Sequence, residues 1–350
     1  MSVLVGFART QGALSGMSRI TRRIATSARF LLGAASGPFL PEEVVFEVTT
    51  ACNLACPMCA RTVAAPRAPG RLDAEAFARR LARIPREVTR IAIAGLGEPL
   101  LNPDIVSMVR CAAAGGRQPV LYTNATLLTP QMSAQLLDAG LRGVVIPIDG
   151  ATSETYERYR VNASFSEVTA NVRSLLEQRS GRGAAIFVEL QMLALPGTRS
   201  QVRQWRAEWR KAGADSLRYK PDHMGVLAAA GGPSPPTAPL RGVCPMPWRG
   251  PATIDIDGSV YPCCVQDPGN AVLGNIEQDP LDQIWNGARA VSLRTEFVRT
   301  RAKLPTCLGC RVPLPPVPVA AAANLLDPFT VRRWLSLTER WLPTGGRGGG

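Results

Sequence analysis

Between residues 43 and 220, short runs of β-branched and aliphatic residues alternate with longer stretches whose apolar positions recur every three or four residues. The runs at 43–49, 89–95, 119–124, 143–148, 185–193 and 216–220 predict strands. The stretches at 74–81, 103–114, 130–139, 165–178 and 199–212 predict helices. Pro103 and Pro130 suit a first helical turn, and Gly140 and Gly213 suit helix ends. Six such units imply a parallel sheet covered by helices, because parallel neighbours need a crossover between them. Six are too few to close an eight-unit barrel. The expected fold is α/β, an open, partial (β/α)6 TIM-like barrel with its active groups at the strand C-terminal ends.

The pattern changes on either side of this repeat. Residues 1–40 form a basic lead-in, and 41–227 hold the barrel. An Ala-, Gly- and Pro-rich linker follows at 228–240, then a cysteine-rich module at 241–311. Within the module, Asp257-Gly258 reads as the turn of a hairpin. Residues 312–350 hold a Pro-rich connector and a helix expected to start at Asp327-Pro328 and reach Trp341. On a helical wheel Leu14, Met17, Ile20, Ile24 and Leu31 oppose Arg19, Arg22, Arg23 and Arg29. Val331, Trp334, Leu335, Leu337, Trp341 and Leu342 likewise oppose Arg332, Glu339 and Arg340. Two cationic amphipathic ends either dock on the body of the protein or make contact with an anionic membrane surface.

Composition narrows the class. Hydrophobic residues make up 46% of the 350 and charged residues 19%, which fits a folded chain rather than a disordered one. The N-terminus lacks the compact apolar core of a signal peptide, and no apolar run reaches membrane-span length, so the expected location is the cytoplasm. There, nine cysteines argue for metal or redox chemistry rather than disulfides. Three lie at 52, 56 and 59 and five between 244 and 310, while Cys111 stands alone in an apolar helical stretch and reads as a core residue. The net charge is +13, basic residues recur along the chain, and no aromatic–basic motif marks a nucleic-acid partner.

The first predicted strand runs into Thr49-Thr50-Ala51-Cys52-Asn53-Leu54-Ala55-Cys56-Pro57-Met58-Cys59. Three thiolates on one short loop can hold three corners of an iron–sulfur cubane. With no fourth cysteine nearby, one iron keeps an open position, as a catalytic metal requires and a structural zinc site does not. Composition alone would produce this spacing roughly 0.006 times in such a chain, so chance is a weak explanation. The motif and its position resemble the radical S-adenosylmethionine (SAM) superfamily, including Asn53-Leu54 and Pro57. The resemblance implies a SAM-binding [4Fe–4S] cluster on Cys52, Cys56 and Cys59. It implies that Gly97, Glu98 and Pro99, at the end of the second strand, meet the methionine amino group. Thr123-Asn124-Ala125-Thr126 is close to the family's Thr-Asn-Gly, which marks Asn124. Arg160 is expected either to pair with the SAM carboxylate or to stand on the surface. Pro147 replaces the serine whose hydroxyl often serves the ribose. By position alone Gln191 and Lys220 are candidates to face substrate, and His223 is either a loop residue or a proton carrier.

The second module, with Cys244, Cys263-Cys264 and Cys307-Leu308-Gly309-Cys310, resembles the SPASM/twitch extension of these enzymes. Adjacent thiols rarely both ligate one cluster. Cys244, Cys263, Cys307 and Cys310 would then hold one auxiliary [4Fe–4S] cluster, with a zinc knot as the alternative. The family pattern favours Cys263 over Cys264. The resemblance implies a radical SAM oxidoreductase that takes a hydrogen atom from an unactivated carbon and oxidises its substrate with the help of the auxiliary cluster, as in the twitch-type dehydrogenases of aminocyclitol pathways. Modification of a peptide or lipid-linked substrate, by crosslinking or epimerisation, is the alternative; a non-catalytic metal-binding interaction protein is another. Expected partners are a small-molecule or peptide substrate and an external electron donor such as flavodoxin or ferredoxin.

Overall fold

The computed structural model describes residues 19–63, 68–220, 243–264, 272–299, 307, 317–323 and 325. The linker at 228–240, His223, Cys310 and the helix expected at 327–341 lie outside them.

Six strands form a parallel sheet in sequence order: β1 (Glu43–Phe46), β2 (Arg90–Ile93), β3 (Gln118–Tyr122), β4 (Gly143–Pro147), β5 (Phe187–Leu193) and β6 (Ser216–Lys220). All six fall where the alternation predicts them, several shorter by two or three residues. Val44, Phe46, Ile91, Ile93, Val120, Leu121, Val144, Ile146, Val188 and Leu190 are fully buried, as a sheet covered by helices demands. At the base of β1 and β2, Glu43 and Arg90 stand in register and form an ion pair.

The connecting helices are set by their caps. Asp73, Thr129, Thr152 and Ser164 each accept a hydrogen bond from the backbone N–H three residues on. Pro130 opens its helix, but Pro103 does not: that helix begins at Ile105 behind Asp104, because the preceding turn is held by Asn102. Asn102 is fully buried, and its amide donates to the carbonyls of Val48 and Leu72. The helix at 165–178 continues to Arg182, where Gly183 takes a left-handed φ of 61°. A further helix, Ser153–Tyr159, follows β4.

The cysteine-rich module is not a separate bead. Its first strand, β7 (Ala252–Ile254), pairs in parallel with β1, and β8 (Ser259–Tyr261) and β9 (Gly274–Asn275) continue the sheet antiparallel. The result is one open nine-stranded sheet, ordered β6-β5-β4-β3-β2-β1-β7-β8-β9. The expected hairpin turn at Asp257-Gly258 is present, with Gly258 at φ 86°. The barrel core continues into the module and the N-terminal segment through Phe39, Trp248 and Trp285. Arg294 is fully buried there, donates to the carbonyls of Pro247 and Trp285, and lies over the ring of Phe39. Arg80 ties the hairpin to the barrel by donating to the carbonyls of Asp255 and Ile256 and pairing with Glu277 at 2.6 Å.

Helix Arg19–Leu31 docks, but with the face opposite to the one its wheel suggests. Arg22 and Arg23 are buried: Arg22 donates to the Glu87 carbonyl and Arg23 pairs with Glu42 at 2.8 Å. Ile20, Ile24 and Leu31 are exposed. Arg22 and Arg23 turn inward together with Phe30, which meets the Trp248 ring edge-on at 5.3 Å.

Arg80→Ala should cost about 2–4 kcal/mol in denaturant unfolding, since it strands two carbonyls and unties the hairpin. Glu277→Gln should cost less than about 1 kcal/mol, because Glu277 is 41% exposed and solvent screens the pair.

Candidate active site

β1 ends beside the neighbouring strands, and the chain leaves its C-terminal edge as the cysteine loop. Cys56 is buried, Cys52 and Cys59 half-buried, and all three pack with Leu54, Met58, Tyr159 and Leu195. The loop is shaped from inside by Arg61, whose guanidinium sits 3.3–3.5 Å from the carbonyl oxygens of Thr50, Leu54 and Cys52. Burial pushes the Cys52 and Cys56 thiols up; Arg61 and Arg160 respectively act against it. A thiol kept protonated in this way yields its proton when a metal binds.

The second loop comes down on the first. Glu98 N–H donates to the Ala51 carbonyl at 2.8 Å. A Cβ at Gly97 would stand 2.1 Å from the Thr49 carbonyl oxygen and 2.7 Å from that of Ala51, so only glycine allows this approach. Gly95, at φ 152°, faces the buried carboxylate of Glu47, which accepts from Leu96 N–H at 2.9 Å.

Glu98 sits at the junction with β3. Its carboxylate accepts from Leu100 N–H at 3.0 Å, the Thr123 hydroxyl at 2.6 Å and Asn124 N–H at 2.7 Å. Burial pushes its carboxyl up against these three donors. The expectation that this element meets an ammonium group therefore acquires a second part: the Glu98 side chain also pins the β2 and β3 loops together. Pro99 is buried behind it at the start of a short 3-10 turn. Asn124 donates to the Asn53 side chain at 3.0 Å, and Asn53 donates to Thr126 at 2.8 Å, which ties the cysteine loop to the end of β3.

Arg160 is not a surface residue. It follows helix Ser153–Tyr159, donates to Asp149 at 2.8 Å through Nε, and reaches the Cys56 sulfur at 3.9 Å. Asp149 is fully buried and also accepts from Leu193 N–H. Desolvation opposes the guanidinium charge, but Asp149 and Cys56 outweigh it and hold the group firmly protonated. Gln191 lies on the same pocket wall, as does Pro147. Lys220 is linked to this wall by donating to Gln191 at 3.2 Å.

One pocket thus gathers Cys52, Cys56, Cys59, Gly97, Glu98, Asn124 and Arg160. Among the described residues no three His, Cys, Asp or Glu side chains converge on a single point, as one metal ion would need. The three thiols line one cavity, and three sulfurs from one loop with no fourth beside them are the donor set of an iron–sulfur cubane with an open corner. A second cleft, at the opposite strand ends beside Arg117, Arg142 and Asp215, has no cysteine in its lining. In the C-terminal module Cys244 and Cys307 pack half-buried against the core. Cys263 is half-buried and Cys264 exposed.

Two family models match the chain: the radical SAM superfamily over residues 46–199, and an iron–sulfur cluster-binding domain over residues 244–311. The chain carries a radical SAM superfamily domain, followed by an iron–sulfur cluster-binding domain. The matches imply a [4Fe–4S] cluster with SAM for the first domain and further iron–sulfur binding for the second. This radical SAM chain is 32% identical over 139 residues to an AdoMet-dependent heme synthase of Methanosarcina barkeri, covering 39% of each. It is 33% identical over 120 residues to a PqqA peptide cyclase of Rhodopseudomonas palustris, covering 34% of this chain and 32% of that one. It therefore spans about a third to two fifths of the length of these curated relatives. Its fold is similar to that of Streptococcus suis SuiB bound to its precursor peptide SuiA. That match has a TM-score of 0.58 at 14% identity, and covers 81% of this chain and 72% of SuiB.

Sequence reasoning missed Arg61, Glu47 and Asp149 as parts of the radical SAM site. Arg61 lies two residues past the third cysteine, and Asp149 two residues past β4; the partners of Asp149 include Leu193, 44 positions away. Gly97→Ala should push the β2 loop off the cysteine loop and lower iron incorporation, measured as iron per chain after anaerobic reconstitution. Glu98→Gln should cost about 1–3 kcal/mol in thermal or denaturant unfolding, because an amide nitrogen then faces an N–H donor whichever way it turns.

Proposed function

We propose that this chain is a radical SAM enzyme that removes a hydrogen atom from an unactivated carbon of a substrate held in the barrel lumen. The observation that carries it is the shared pocket: three thiols from one loop beside the glycine-rich loop of β2 and the polar ends of β3 and β4. Cys52, Cys56 and Cys59 hold a [4Fe–4S] cluster. Bound together, that cluster and SAM supply reductive sulfonium cleavage and a 5′-deoxyadenosyl radical.

The chain's own groups position and exclude. The backbone of Gly97 and Glu98, backed by Pro99, offers oxygen acceptors to the methionine ammonium, since the Glu98 carboxylate is largely occupied by Leu100, Thr123 and Asn124. Asn124 keeps the cysteine loop at its distance through Asn53. Arg160, fixed on Asp149, places a cation beside Cys56 and within reach of the SAM carboxylate. Leu54, Met58, Tyr159 and Leu195 keep water from the cysteines. Gln191 and Lys220 offer a hydrogen-bonding and cationic contact to substrate.

The C-terminal module carries one auxiliary [4Fe–4S] cluster on Cys244, Cys263, Cys307 and Cys310. Four cysteine ligands would leave such a cluster no open iron, and the group would supply a one-electron acceptor for oxidation of the substrate. An external flavodoxin or ferredoxin supplies the first electron. A peptide is a second substrate class, favoured by the matches to PqqA peptide cyclase and to SuiB with its precursor peptide.

Anaerobically reconstituted protein should contain about eight irons per chain and release 5′-deoxyadenosine from SAM and dithionite. The Cys52→Ala/Cys56→Ala/Cys59→Ala variant should retain about half the iron and release none. Nucleoside release from that variant, or none from the parent, rejects the proposal.

A further inference from the structure

Helix Arg19–Leu31 leaves an unusual surface. Its residues Arg22, Arg23, Thr26, Ser27 and Phe30 are buried, while Ile20, Ile24 and Leu31 on one side of it, and Leu32 just after it, are 50–84% exposed. The stripe does not stand alone. Helix Val317–Ala323 packs beside this helix, and Gly33 lies against Val298. Val298, Val319 and Leu325 are exposed too, so seven of the nine exposed large hydrophobic residues among those described belong to this one region. A contiguous apolar patch of this kind marks a surface that something covers.

The charge distribution says what covers it. Residues 1–40 carry five arginines and no acid, and residues 297–350 carry eight basic and two acidic residues. These two ends hold a net +11 of the chain's +13, and residues 41–296 are close to neutral at +2. Arg22 and Arg23 are buried against the protein, and the rest of this excess lies in the segments that carry or flank the apolar patch. Nucleic acid would answer the charge but not the exposed isoleucines and leucines; a second copy of the chain would answer the apolar area but bring like charge against like. An anionic bilayer answers both. Trp334 and Trp341, set among Arg332, Arg333 and Arg340 in the flanking sequence, are of the kind that favours the bilayer interface.

We propose that the outward apolar stripe of helix Arg19–Leu31, with Val298, Val319 and Leu325, inserts into the surface of an anionic membrane. This is peripheral attachment: no helix among the described residues is long and apolar enough to cross a bilayer. The helix is tied to Glu42 and Glu87, just before β1 and β2, whereas the cysteine loop follows β1. The attachment region therefore lies at the strand ends opposite the pocket. This inference does not depend on the chemistry proposed for the pocket.

The test is co-sedimentation of the full chain with vesicles of phosphatidylcholine alone or mixed with phosphatidylglycerol. The full chain should pellet with the mixed vesicles, weakly with the neutral ones, and less at about 0.5 M salt. Ile20→Ser/Ile24→Ser/Leu32→Ser should lower affinity for the mixed vesicles about tenfold or more, with near-ultraviolet circular dichroism and iron content unchanged. The proposal is overturned if the full chain stays in solution with anionic vesicles, or if the triple variant pellets equally well. It is also overturned if binding emerges only after deletion of residues 326–350, which would make the chain's own tail the cover. A dimer that the triple variant turns into a monomer, with no vesicle binding by either, likewise overturns it.

Discussion

The pocket depends on how closely the loop after β2 can approach the cysteine loop after β1. Gly97 brings backbone onto backbone at a distance that no side chain tolerates, and the Glu98 N–H to Ala51 carbonyl bond closes the contact. From that point the remaining loops are hung in series. The Glu98 carboxylate draws in Thr123 and Asn124 from β3, and Asn124 returns to Asn53 between the first two cysteines. Three adjacent strands thus deliver their C-terminal loops to one place, and each loop is held by polar contacts made with the others. The strand order β1-β2-β3, with every pair parallel, is what makes these loops neighbours at all.

Among the described residues around the pocket, the charges beneath this framework are fixed by polar partners. Arg61 is used up on loop carbonyls and Glu47 on Leu96. Arg160 is fixed by Asp149 yet still faces the Cys56 sulfur. A buried arginine with a buried carboxylate beside it keeps its charge and its direction, which an isolated one would not. This places a fixed positive group next to the Cys56 sulfur.

The cysteine-rich module shares the barrel's sheet through β7 and is clamped by Arg80 and Arg294. The strands of the module are thus held in fixed relation to the barrel by continuous backbone pairing. The same packing region buries Arg22 and Arg23 and turns the apolar face of the N-terminal helix outwards.

The sequence alone determined the repeating strand–helix order, the open barrel, the cysteine trio and the hairpin in the C-terminal module. These rest on local periodicity, on turn chemistry and on ligand spacing, all of which are written within a few residues. It also marked Gly97, Glu98, Asn124 and Arg160 through motif resemblance. Tertiary structure decided what those residues touch. The partners of Glu98 lie 25 and 26 positions away, and Arg160 lies 104 positions from Cys56. Only the fold could reveal that Arg61 fills the cysteine loop, that β7 extends the barrel sheet, and that the N-terminal helix docks by its arginines. A helical wheel records which residues share a face; which face turns inward depends on the carboxylate and carbonyl groups that wait at the docking site, and those belong to other parts of the chain.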